Sequence, residues 1–135
     1  MGTRQRYPFN TSVGTKVLLA LTGLALVGFL IFHLYGNVIL IFGAEKYNEH
    51  AHALISNPLI VPAELGLLAI FLLHAIKAIL NFVHNRAARP QRYEVQKWAG
   101  GPSRKSWGST TMIISGLVIF LFIPIHLITF KYGPN

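Results

Sequence analysis

VLLALTGLALVGFLIFHLYGNVILIF, residues 17–42, decides the fold. The run carries no charge. At about 1.5 Å per residue it makes roughly 39 Å of helix, against a bilayer core of about 30 Å. It spans a membrane with tilt to spare. A signal-peptide core needs only about 7–15 apolar residues, and no convincing A-x-A site follows this one. The run is therefore expected to stay on as an anchor. Two of its residues do not belong in hydrocarbon, His33 and Asn37.

Two more runs of spanning length follow: LIVPAELGLLAIFLLHAIKAILNFV, residues 59–83, and STTMIISGLVIFLFIPIHLITF, residues 109–130. The expected fold class is all-α, a transmembrane bundle of three helices at about 14–42, 60–86 and 108–131. Residues 1–135 then form a single membrane domain with no soluble part. Composition agrees: 53% of residues are hydrophobic and 12% are charged, about half the charge of an ordinary soluble chain. The absence of cysteine excludes disulfides, iron–sulfur clusters and thiolate–metal sites within this chain. No internal repeat or low-complexity segment stands out.

A net charge of +8 would suit nucleic acid, but its placement argues for a membrane. Arg4, Arg6 and Lys16 precede the first run. Arg86, Arg89, Arg92, Lys97, Arg104 and Lys105, against Glu94 alone, lie between the second and third. The connection between the first and second holds only Lys46, with Glu45 and Glu49, and the tail holds Lys131. Lys and Arg collect on the cytoplasmic side. The N-terminus and the second loop are thus expected in the cytoplasm, and the first loop outside. The basic loop fits both contact with anionic lipid and docking of a partner protein.

Local signals mark the joints. Thr11 or Ser12 can cap the first helix, and Gly43 can stop it. Tyr47, Ala51 and Leu54 share one face of a short helix, expected at the outer interface. Asn57-Pro58 then turns the chain, while ARPQRY and AGGPS break the inner loop. Pro124 lies within the third helix, where it deletes one hydrogen bond.

Each span carries one deep histidine: His33, His74 and His126. Counted from the cytoplasmic charges or Trp107, they lie roughly 25, 18 and 28 Å in, respectively. His33 and His126 come out level in the outer half, with His74 roughly 7–10 Å closer to the cytoplasm. A level pair of imidazoles on different helices is what a bis-histidine heme needs, one nitrogen on each face of the macrocycle. Small residues nearby, Gly36, Ala78 and Ser115, would leave room for a flat ring. Two other readings stay open. Membrane histidines also bridge helices by hydrogen bonds, and buried histidines serve proton relays, although Glu64 is the only acid at a membrane edge.

Other residues carry less. His50 and His52 form H-x-H, but positions i and i+2 of a helix do not face the same way, so a solvated outer face is expected rather than a metal site. Lys77 shares a face with His74 and either meets an anionic ligand group or snorkels to the cytoplasm. His84 and Asn85 read as interfacial. Phe29, Phe32, Phe71, Phe120 and Phe122 read as packing and lipid contacts, with some able to flank a cofactor. No nucleophile triad, phosphate loop or carboxylate pair is present.

The stretches SVGTKVLLALTGLALVGFLIFHLYGN, EKYNEHAHAL, FLLHAIKAILNFVHNRAAR and TTMIISGLVIFLFIPIHLITF resemble the cytochrome b membrane subunit of succinate:quinone oxidoreductases. The likeness is to the single-anchor, diheme b558 type of bacteria and runs over nearly the whole chain. It implies a non-catalytic electron-transfer anchor in the bacterial cytoplasmic membrane. A flavoprotein and an iron–sulfur subunit would dock on its cytoplasmic side. Electrons would pass between succinate or fumarate and a quinone, usually menaquinone. It further implies that His33 and His126 ligate a distal heme b and His74 one side of a proximal heme b. The family has five membrane helices, the fourth completing the proximal heme. The expectation is therefore one complete heme site here and half of a second, with the missing helices supplied by a longer chain or a further anchor subunit. A non-redox transporter component or structural anchor is the alternative.

Overall fold

The computed structural model describes residues 11–88 and 107–133 of the chain. These residues form helix α1 (Ser12–Val38), a 3-10 turn (Ile39–Phe42), α2 (Ala44–Ile55), α3 (Ile60–Ala87) and α4 (Trp107–Phe130). The fold is all-α, and three of its helices are long and apolar enough to cross a membrane: Val13–Phe42, Ile60–Ala87 and Thr111–Phe130. The chain is accordingly a multi-pass helical membrane protein. It divides into two units, Met1–Asn81 and Phe82–Asn135. Arg4, Arg6, Arg89, Arg92, Lys97, Arg104, Lys105 and the two breaker motifs of the inner loop lie outside the described residues.

The caps follow the local signals. Thr11 is the N-cap of α1, its hydroxyl oxygen accepting the Gly14 N–H at 3.0 Å. The C-terminal end tightens into the 3-10 turn and stops at Gly43, whose φ of 111° favours glycine. Ser56 closes α2, its hydroxyl donating to the His52 carbonyl at 2.6 Å. Asn57 then turns the chain by accepting the Leu59 N–H on its side-chain oxygen at 2.9 Å. Pro62 sits in the first turn of α3, where its missing N–H costs nothing. Pro124 lies inside α4 and cannot donate to the Phe120 carbonyl, yet the helix continues to Phe130.

Burial shows why such a chain needs lipid. Thr22, at 8% exposure, is the sole buried residue among those described. Large apolar side chains stand exposed instead, Ile41 at 80% and Phe130 at 78%. A soluble protein rarely leaves so much apolar surface bare, because water would drive it together. Hydrocarbon imposes no such penalty, so these helices can be apolar on every side.

Within the first unit, the least exposed positions form stripes. On α1 they include Thr15, Leu18, Leu19, Thr22, Gly23 and Leu26; on α3 they include Leu67, Phe71, His74, Ala75, Ala78 and Asn81. Both have helical spacing. The expected short helix is present as α2, and its half-buried stripe is Tyr47, His50, Ala51 and Leu54. The addition to the sequence-based face is His50.

Candidate functional site

His74, midway along α3, is half-buried against α1. Its Nδ1 lies 2.9 Å from the Thr22 hydroxyl oxygen. The Thr22 hydroxyl also reaches back along its own helix, to the Leu18 carbonyl at 2.7 Å and the Leu19 carbonyl at 3.2 Å. A β-carbon built on Gly23 would stand 3.3 Å from His74 Cε1. The ring therefore packs onto α1 at the one place where a glycine lets it come so close.

This contact sets the levels of two histidines. His74 sits at the level of Thr22, and eleven residues separate Thr22 from His33. That is roughly 16 Å of helix rise. The offset expected from the sequence, roughly 7–10 Å, is too small. It took Arg86 and Lys16 as level markers. Consecutive spans run in opposite directions, so pairing 22 with 74 puts residue 16 level with residue 80. Residue 80 is six residues short of Arg86 in the sequence, roughly 9 Å of helix rise. α3 is continuous through that stretch, ending at Ala87.

His33 is exposed on α1 and stacks on Phe29 of the preceding turn, ring centroids 5.4 Å apart and planes 28° off parallel. His126, on α4 in the other unit, repeats the pattern. Phe122 stacks on it at 5.1 Å and 25°, and Phe130 lies at 5.1 Å on the other side in sequence. The i, i+4 spacing puts such rings on one helix face. The shared F-x-x-x-H spacing is the sequence signal for these stacked pairs. His74 has Ile70 at the equivalent position, and a cross-helix hydroxyl instead.

Asn37, the other polar residue of the first run, is satisfied locally. Its side-chain amide donates to the His33 carbonyl at 2.8 Å. Ser115 likewise donates to the Thr111 and Met112 carbonyls, at 3.2 and 3.1 Å. Lys77 lies half-buried one turn beyond His74.

Two sequence-based expectations need correction. His50 does not lie on a solvated face. Its Nε2 is buried without a hydrogen-bond partner among the described residues, and its ring meets Tyr35 edge-on at 6.1 Å. Nor does Gly36 leave room for a flat ligand beside His33. A β-carbon there would touch His50 Nε2 at 3.6 Å, so the space is filled by that imidazole. Both follow from α2 folding back on α1, which neither segment's periodicity reveals. His52 remains exposed, and no cluster of three or more metal-ligating side chains exists among the described residues.

The three deep histidines stand singly on separate helices, a donor set that a heme would accept. Single imidazoles on separate spans are the ligands a macrocycle takes, one per face. His74 adds a ring nitrogen already occupied by a hydrogen bond, the arrangement that orients metal-bound histidines. No family model, curated protein or solved structure matches the chain.

Proposed function

We propose that the chain is a heme-binding membrane anchor of a succinate:quinone oxidoreductase or quinol:fumarate reductase. In this reading the N-terminus and the second loop face the cytoplasm, and the membrane is the bacterial inner membrane. The observation that carries the reading is the separation of imidazoles along α1. His74 is registered to Thr22, roughly 16 Å from the level of His33, so the two serve different irons. Heme b supplies one-electron chemistry within the low-dielectric bilayer. This chain's residues would hold it: His33 and His126 for a distal site, and His74 for one side of a proximal site. The second ligand of the proximal site is not among residues 1–135. Menaquinone, a flavoprotein and an iron–sulfur protein would be the redox partners, and the chain itself carries no dehydrogenase chemistry.

The Thr22–His74 hydrogen bond also favours a second reading, a non-redox anchor or transporter component whose histidines join helices. A reduced-minus-oxidised spectrum of the purified chain separates the two. A low-spin b-type α band is expected. A colourless chain that remains colourless after hemin reconstitution leaves the helix-bridging reading.

The basic segment of residues 86–105 is the proposed contact for the iron–sulfur partner. Arg86 lies exposed in the last turn of α3, where a cation also suits the helix dipole. Neutralising Arg86, Arg89 and Arg92 together should weaken retention of the soluble subunits about tenfold, roughly 1.4 kcal/mol summed over three surface charges. Pull-down from solubilised membranes reads this. Unchanged retention, or inverted helices by accessibility mapping, would show that the charges set topology alone.

A further inference from the structure

We infer that Thr22 is the positioning residue for His74: it fixes which ring nitrogen carries the proton and so makes Nε2 the ligating atom. The inference rests on the heme reading for the identity of the ligand, but its chemistry is local to α1 and α3.

A threonine hydroxyl has one hydrogen and two lone pairs. Thr22 Oγ1 stands 2.7 Å from the Leu18 carbonyl oxygen. Two oxygens that close repel unless a hydrogen lies between them, and 2.7 Å is the usual length of an O–H···O bond. The hydroxyl hydrogen is therefore committed to the α1 backbone. Toward His74 the oxygen can only accept. The 2.9 Å contact is then Nδ1–H donating to Oγ1, and the lone pair of the neutral ring sits on Nε2. Burial strengthens the case. Thr22 is 8% exposed as a residue, so its hydroxyl has little access to solvent and must satisfy donor and acceptor within the protein; this arrangement does both. Gly23 completes the seat, its missing side chain leaving space for Cε1. Hydrogen bond and close packing together limit rotation about the His74 χ2 angle. A metal-bound histidine is held in the same way elsewhere: the nitrogen that does not bind the metal is tied down, and losing that tie typically costs about 10–100-fold in affinity.

The test uses the whole chain in detergent micelles, with ¹⁵N-labelled histidine and neutral pH. In the heme-free protein, ring ¹⁵N shifts, assigned with His74→Ala, should show His74 protonated at Nδ1. Thr22→Val keeps the shape and removes the hydroxyl, and should give a mixture of tautomers. Thr22→Ser restores the acceptor and should restore the Nδ1–H form. Circular dichroism confirms that each variant is folded. Hemin is then titrated into the His33→Ala/His126→Ala chain, which lacks the distal pair, with excess imidazole to fill the second axial position. Adding Thr22→Val should weaken binding 10–100-fold, with Thr22→Ser close to the parent. A proton on Nε2 in the wild-type protein, or a tautomer unchanged in Thr22→Val, overturns the inference even if hemin binds. Hemin affinity unchanged in Thr22→Val overturns the positioning role toward the ligand. A Thr22-dependent tautomer in a chain that takes up no hemin at all keeps the assignment of Thr22 and sinks the heme reading instead.

Discussion

His33→Ala and His126→Ala should each abolish one and the same low-spin heme, completely and not in part. A six-coordinate low-spin iron needs a strong ligand on both faces, so losing either imidazole destroys the same spectrum. The pairing rests on the sequence count alone: His33 lies 17 residues after Lys16 and His126 lies 19 residues after Trp107, roughly 25 and 28 Å of helix rise. Both also carry a phenylalanine stacked from the preceding turn, Phe29 at 5.4 Å and Phe122 at 5.1 Å. Such a ring restricts the imidazole's orientation. Visible absorption and low-temperature paramagnetic resonance on the two variants decide the matter. Loss of two distinguishable hemes, one per variant, would break the pairing. So would a spectrum that neither substitution changes.

His74→Ala should leave that heme intact and remove another. The reasoning is vertical. His74 is hydrogen-bonded at the level of Thr22, and roughly 16 Å of α1 separates that level from His33. Axial nitrogens of one iron lie within a few ångströms of each other, so His74 cannot replace or supplement His33. In the proposal its iron would need a second ligand, and residues 1–135 offer no other histidine deep in an apolar run. His84 lies ten residues further along the same helix and cannot reach the opposite face of the same macrocycle. The isolated 135-residue chain should therefore bind at most one heme tightly. A preparation that also supplies the second ligand for His74 should bind two. Pyridine hemochrome per polypeptide gives the count. Two tightly held low-spin hemes in the isolated monomer would refute the assignment, as would a complete complex indifferent to His74→Ala.

Much of this was legible in the chain. Uncharged runs of spanning length leave a segment few options, because a backbone in hydrocarbon must satisfy its own hydrogen bonds as a helix. Hence α1, α3 and α4 fall where the runs fall. Thr11, Gly43 and Asn57 act where expected because capping and turn chemistry is local, a matter of three or four residues. The helical stripe of α2 was readable for the same reason. The candidate histidines were found from composition alone, since a polar side chain is conspicuous in an apolar run.

The contacts between helices were of another kind. A helix that is apolar on every side has no polar face to declare which flank meets a neighbour. The choice of Thr22 and Gly23 as the seat for His74 thus depended on a bond between residues 52 positions apart. The relative height of His33 and His74 depended on the same bond. Terminal charges mark where a span ends only to within the length by which its helix overshoots, and α3 overshoots. His50 turned inward onto Gly36 because α2 folds back on α1, which no single segment's spacing encodes. Segment length and polarity by themselves determined the helices and the membrane; register, and with it the nitrogen that His74 presents, was decided by one buried hydroxyl whose hydrogen was already bound to its own backbone.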